Sequence, residues 1–233
     1  MPLVSTQQAT VQTRVNTFVR SVYNWMTVGL GLTGLIAYYV ANTPALINAI
    51  YGNRLVFFGL IIGELVLVVA LAARVQKMQA STATGLFLLY AGLNGLTLSF
   101  IFLVYTNTSI AQVFFICAAT FVSASLYGWI TGRDLTSLGG FLTMGLIGII
   151  IASLVNIFLK SPGVSMVVSY IGVLVFVGLT AYDTQRLKNM ALAQPDGLDA
   201  AVVRKGAILG ALTLYLDFIN LFLMLLRILG SNR

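Results

Sequence analysis

Histidine is absent from this chain of 233 residues. That removes histidine-ligated zinc chemistry, histidine-based catalytic triads and histidine proton relays. Any response to pH near neutrality must then come from carboxyl groups. Cysteine occurs once, as Cys117 within an apolar run, so no intramolecular disulfide forms, and the residue reads as a small buried hydrophobe. Charge is scarce as well. Only 8% of residues are charged and six are acidic, whereas a soluble domain carries about 25% charged residues. The remainder is 59% hydrophobic with a mean hydropathy of +0.97. No soluble fold hides that much apolar surface, so the chain belongs in a bilayer.

The net charge of +7 does not indicate nucleic acid, because the basic residues sit in short polar breaks between apolar runs. A membrane span needs about 20 apolar residues. Seven such runs are present: Trp25–Ala41, Leu55–Ala73, Ala83–Tyr105, Ile110–Ile130, Leu138–Leu159, Val164–Tyr182 and Gly206–Leu226. None alternates every second residue as barrel strands do, so helices are expected rather than a barrel. The expected layout is a polar cytoplasmic N-terminus over residues 1–24 and a seven-helix transmembrane domain over 25–230. MPLVSTQQATVQTRVNTFVR lacks an apolar core followed by a cleavage site, so the first span is expected to act as its own address. With the N-terminus inside, nine basic residues fall on the cytoplasmic side: Arg14, Arg20, Arg74, Lys77, Arg133, Arg186, Lys188, Arg204 and Lys205. Four fall outside: Arg54, Lys160, Arg227 and Arg233. That bias sets the N-terminus in the cytoplasm and the C-terminus outside. The longest break, Asp183–Lys205, contains the turn signal QPDG and reads as a solvated connector with at most a short amphipathic helix. No internal repeat is visible.

Three acidic residues lie in or at the edge of the apolar slab: Glu64, Asp183 and Asp217. The others, Asp134, Asp196 and Asp199, are assigned to loops. A charge at the bilayer centre costs about 2.5–3.5 kcal/mol on the most lenient scale, so each needs a reason. On the last span Gly206, Gly210, Thr213, Asp217, Asn220, Met224 and Arg227 fall at alternating steps of four and three, which is one helical face. A small, polar stripe of that kind is expected to turn into the bundle or toward a wet cavity. Ser165, Ser169, Gly172, Thr180 and Asp183 make a weaker version on the sixth span, and Tyr90, Asn94 and Thr97 another on the third. Gly59 and Gly63 precede Glu64 as a GxxxG, like Gly206 and Gly210, a pattern that lets helices approach closely. Glu64 and Arg74 are ten residues apart, about 15 Å along a helix, so neither satisfies the other. The interior of the slab thus holds three acids and no base, which suits a cation or a proton. Structural roles compete with this reading. Asp183 can pair with Arg186 at i+3, Glu64 can sit protonated inside a packed bundle, and Asp217 with Asn220 can join helices.

GLTAYDTQRLK at 178–188, followed by LYLDFINLFLMLLRILG at 214–230, resembles the Bax-inhibitor (lifeguard, transmembrane Bax inhibitor motif) family, most closely its bacterial members. The resemblance covers nearly the whole chain. It implies an all-α membrane fold of seven transmembrane helices, with the last helix central and wrapped by the other six. It also implies a pH-sensitive calcium leak in the cytoplasmic (inner) membrane, with no enzymatic activity. In that family the aspartates matching Asp183 and Asp217 approach each other as a pH-sensing pair. An arginine near the end of the second helix latches them, and Arg74 is the nearest match. The acid matching Glu64 lines the cation path, where Asn94 and Asn220 would add oxygens. Glu64 and Asp217 are the candidates for weak calcium binding. No cofactor is implied, and calcium enters as the permeant ion. The partners implied are the lipid bilayer, calcium ions, protons and, in an alternative role, other membrane proteins. The connector looks longer than in short bacterial members. Counting also places Asp217 some eleven residues, about 16 Å, into its helix, while Asp183 sits at a slab edge. A close pair then requires the last helix to begin outside the slab, the sixth to sit deeper, or both.

Two carboxyls a few ångströms apart do not both ionise cheaply, so such a pair holds one proton between them. Two other readings compete. One is a non-transporting regulator that binds other membrane proteins through its GxxxG faces. The other is an intramembrane aspartyl protease, which also places YD on one helix and an aspartate on the next. This chain has Leu214–Tyr215–Leu216–Asp217 where such enzymes have GxGD, and its Pro44–Ala45–Leu46 lies far upstream of both aspartates.

Overall fold

A computed structural model describes residues 2–195 and 197–233, and the side chains of 11–195 and 197–233. Met1 and Asp196 lie outside the described residues, and with Asp196 goes the centre of the expected QPDG turn. Among the described residues there are nine α-helices and no strand beyond one isolated bridge. Six helices are long and apolar enough to cross a membrane, and a bent helix pair raises the number to as many as seven. The chain divides into two compact units, Met1–Val104 with Met190–Tyr215, and Tyr105–Asn189 with Leu216–Arg233.

In the first unit, α1 runs over Pro2–Ala41 and α2 over Pro44–Tyr51. The chain bends by 100° between them, where Pro44 starts the new helix and Thr43 takes the extended conformation required before it. Helix α3 (Arg54–Arg74) is capped by Asn53, whose side chain accepts from the Leu55 amide at 3.0 Å. A 3-10 turn over Val75–Lys77 leads to α4 (Ala80–Leu98), and α5 is a single turn at Ile101–Val104. Gly95 brings α4 against α1, since a side chain there would strike the Thr33 carbonyl and Ile36. The rings of Phe87 and Tyr90 meet Tyr215 edge-on at 5.9 and 5.7 Å. Tyr215 is fully buried, and its hydroxyl is satisfied by Thr33 Oγ1 at 2.7 Å. The break between α4 and α5 is closed by one phenol. Tyr51 Oη lies 3.1 Å and 2.9 Å from the Leu96 and Thr97 carbonyls, accepts from the Phe100 amide at 3.0 Å, and contacts Ser99 Oγ at 2.9 Å.

The second unit contains α6 (Asn107–Ile130), α7 (Thr136–Leu159), most of α8 (Pro162–Leu192) and the latter half of α9 (Ala200–Leu229). Gly128 lets α6 lie directly on the Ala181 carbonyl of α8, and the Tyr182 ring lies over Gly139 of α7. Phe114 and Phe121 flank Phe218 edge-on at 5.6 and 5.4 Å. Before α7, the Asp134 carboxylate accepts from the Thr136 hydroxyl and amide, which holds it below its usual pKa. The α7–α8 turn is knotted by Asn156. Its amide donates to the Ser161 carbonyl and to Ser165 Oγ, and its oxygen accepts from the Ser161 amide.

The helices differ in what they meet. Over an 18-residue window, 6% of α3 and 11% of α7 is buried, against 67% of α9, so α3 and α7 present most of their surface outward. The stripe on α9 has Gly210 and Asp217 buried, Gly206, Thr213, Asn220 and Met224 half-buried, and Arg227 exposed. The rest of that helix is no more outward, because Leu212, Leu214, Tyr215, Phe218, Leu221 and Leu226 are all buried. The inward faces expected on the third and sixth spans do contain buried residues, Tyr90, Asn94 and Thr97 on α4, and Ser169, Thr180 and Asp183 on α8. Nothing packs against Gly59 or Gly63, so that GxxxG makes no helix contact here.

One sequence expectation is corrected. The break at Asp183–Lys205 is helical for most of its length: α8 continues to Leu192, α9 starts at Ala200, and no separate helix lies between. The charges that suggested a solvated connector are borne on a helix whose polar groups find partners, as described below. The polar residues before Trp25, to which the sequence reading assigns no secondary structure, belong to a helix in which Val15, Phe18, Val22 and Met26 recur at helical spacing and are buried.

Candidate functional site

The extension of α8 and α9 resolves the counting problem. Asp217 lies seventeen residues beyond Ala200, and Asp183 lies nine residues before Leu192. Both carboxyls are thus well inside their helices. They are 7% and 5% exposed and within hydrogen-bonding reach of each other. A hydrogen bond between two carboxyls requires one proton, since two carboxylates have only acceptors. Arg186, one turn on along α8, lies 3.9 Å from Asp183 Oδ1 with its side chain 70% exposed. Asp183 thus lies beside both Arg186 and Asp217. With one proton, the cluster of two carboxyls and one guanidinium is neutral, and without it the charge is −1. Asp217 Oδ2 is buried and has no hydrogen-bond partner.

The segment after Asp183 does work that the sequence reading missed. Gln185 accepts from the Leu135 amide at 2.8 Å and donates to the Arg133 carbonyl at 2.8 Å. Lys188 donates to the Trp129 carbonyl at 2.7 Å and sits 5.3 Å above the Trp129 ring. These bonds satisfy the orphan groups where α6 ends and α7 begins. The YDTQRLK run thus fastens the α6–α7 loop to α8 immediately beside the pair. A glutamine and a lysine one turn apart on a supposed connector gave the only available signal.

Glu64 belongs to the first unit, at the midpoint of α3 and half-buried. Thr97 Oγ1 donates to its Oε1 at 2.8 Å and also lies 3.0 Å from the Asn94 carbonyl. Asn94 Nδ2 donates to Tyr90 Oη at 3.3 Å, while Asn94 Oδ1 is buried without a partner. Thr97 thus meets the Glu64 carboxyl and the backbone carbonyl of Asn94, while the Asn94 side chain meets Tyr90. Asn220 lies in the second unit and donates to the Leu216 carbonyl of its own helix at 2.8 Å. Arg74 ends α3 in the first unit with an exposed side chain. Among the described residues, no group of three or more aspartate, glutamate or cysteine side chains could hold a metal ion.

The sequence matches known proteins along nearly its whole length. The family profile described as "Inhibitor of apoptosis-promoting Bax1" matches residues 15–233. The inner membrane protein YbhL of Escherichia coli K12 is 56% identical over 219 residues, covering 94% of this chain and 93% of that protein. An uncharacterized protein of Rickettsia prowazekii, RP147, is 48% identical over 93% of this chain and 90% of its own length. One from Borreliella burgdorferi is 44% identical over 94% and 93% respectively. With this coverage and six or more helices long and apolar enough to cross a membrane, the chain belongs to the Bax inhibitor family.

Proposed function

We propose that the protein is a pH-sensitive cation leak of the inner membrane, with calcium as the permeant ion and the Asp183–Asp217 pair as its gate. The observation that carries this reading is the buried contact of the two carboxyls beside Arg186. The protonated pair ties α8 to α9. Loss of the proton puts two like charges side by side in a region of low polarity and loosens the contact. Glu64, held by Thr97, supplies the carboxylate of the cation path, and Asn94, one turn before Thr97 on α4, adds an unpartnered side-chain oxygen. Asn220 is the further oxygen donor expected on α9, and Arg74 keeps its expected role as a latch. Calcium favours several oxygen ligands, and so few fixed carboxylates suit passage better than storage. The fold that accompanies this reading has seven spans, a central last helix, a cytoplasmic N-terminus and an external C-terminus. A peptidase fits the site less well, since carboxyls exposed by 7% or less give a peptide no approach.

The test is calcium flux from purified protein in liposomes at a series of pH values. Flux that rises with pH in the wild type, and whose pH step disappears in Asp183→Asn, supports the gate. Cleavage of a membrane peptide, or no flux at any pH, overturns it.

A further inference from the structure

The second unit holds a polar cleft of about 300 Å³, lined by Ser153, Asn156 and Ile157 of α7, Ser165 and Val168 of α8, and Arg227 of α9. It lies at the end of the unit remote in sequence from the α6–α7 loop: Asn156 is in the last turn of α7, Ser165 in the first turn of α8, and Arg227 in the last turn of α9. Its polar groups are unequally occupied. Asn156 is fully spent on Ser161 and Ser165. Ser165 Oγ accepts from Asn156, which leaves its own proton to donate. Ser153 is exposed. Arg227 has an exposed guanidinium with no hydrogen bond or ion pair among the described residues. Arg233, by contrast, is engaged with Asn107. None of the second unit's acids, Asp134, Asp183 and Asp217, lines the cleft.

What remains is a guanidinium and two hydroxyls facing one space with no carboxylate to answer them. A planar fork of N–H donors matches the oxygens of a phosphate, and charge-assisted bonds of this kind are the strong ones. The cleft is at the ends of membrane-spanning helices, which is the level of lipid headgroups. Ile157, 64% exposed beside it, offers an apolar flank to an acyl chain. We propose that this cleft binds one phosphate group, supplied by an anionic phospholipid.

Native mass spectrometry of the delipidated full chain tests this, with phosphatidylglycerol, phosphatidylcholine and inorganic phosphate as probes. The expected result is one tightly held phosphatidylglycerol, weakened about tenfold or more by Arg227→Gln, as loss of a charge-assisted bond implies. Arg233→Gln should leave that lipid bound. Ser153→Glu, at an exposed position, puts a carboxylate into the cleft and should expel the lipid even if Arg227→Gln does not fold. Unchanged phosphatidylglycerol binding in either cleft variant overturns the site. Equal binding of phosphatidylcholine overturns the role of charge. Inorganic phosphate displacing the lipid at equal concentration overturns the lipid as the source of the group.

Discussion

Replacing Asp183 or Asp217 by asparagine should freeze the pair rather than break it. Asparagine has the shape of a protonated aspartic acid, and its amide donates permanently. In Asp183→Asn the new amide can donate to Asp217, and in Asp217→Asn to Asp183, which keeps Arg186 at 3.9 Å. Each variant therefore resembles the closed, protonated pair at every pH. Alanine at either position acts oppositely, because it removes the bond altogether. A hydrogen bond to a charged group contributes about 1.5–3 kcal/mol, so its loss shifts the closed-to-open ratio by about 10- to 150-fold. On the proposed gate, the wild-type closed state holds one proton that is lost as pH rises, so flux should be low in acid and increase with pH. In liposomes loaded with a calcium-sensitive dye, both asparagine variants should show low flux without a pH step. Both alanine variants should show raised flux in acid. The double asparagine variant should add little to either single change, because contacting residues in one network are not additive. A pH step that survives in both single asparagine variants refutes the shared proton. High flux in those variants refutes its sign.

Glu64→Gln keeps an acceptor for Thr97, so the protein should fold with wild-type thermal stability while calcium flux falls; flux equal to wild type would reduce Glu64 to packing. A periplasm-active reporter fused after Arg233 should be active, and activity of a cytoplasmic reporter at the same point would show that the last helix does not carry the C-terminus across. Trp129 reports on the α8 fastening, because Lys188 sits over its ring. In a Trp25→Phe background its fluorescence should titrate together with flux, and a signal flat across the flux step would show that the α6–α7 loop does not follow the pair. Gly128→Ala places a methyl group against the Ala181 carbonyl and should destabilise the protein by about 1–3 kcal/mol, as overpacking does, measured by thermal unfolding in detergent.

Hydropathy located the membrane helices well, because a span must satisfy its backbone internally and so declares itself as an uninterrupted apolar run. It failed where helices leave that regime. Arg186 and Lys188 made 183–205 look solvated, yet Lys188 and Gln185 are bonded to carbonyl and amide groups of the neighbouring loop, and the helix passes through them to Leu192. Likewise the threonines and glutamines of the N-terminus hid a stripe of Val15, Phe18, Val22 and Met26 that only a helical count brings out. The candidate site was legible in part. Scarce acids pointed to Glu64, Asp183 and Asp217, and Thr97 was on a polar face beside Asn94. That Thr97 would hold Glu64, and that Gly128 rather than Gly59 or Gly63 would allow a close helix approach, depends on which faces meet. One sequence does not contain that information.

The phenol that closes the break after α4 has a consequence for how substitutions in this protein are judged. Tyr51→Phe removes a single oxygen and raises hydropathy, so on any transfer scale it is a favourable change for a membrane protein. Here that oxygen accepts from the Phe100 amide and has its one proton within reach of the Leu96 and Thr97 carbonyls. Without it, the Thr97 carbonyl and the Phe100 amide lose that partner at the interruption of a span, while the Leu96 carbonyl keeps Ser99 Oγ at 2.7 Å. The residue whose carbonyl is released, Thr97, is the one that holds Glu64. A variant that looks conservative by polarity is thus positioned to disturb Glu64 from the far side of the break, and tolerance at this position measures backbone integrity rather than greasiness.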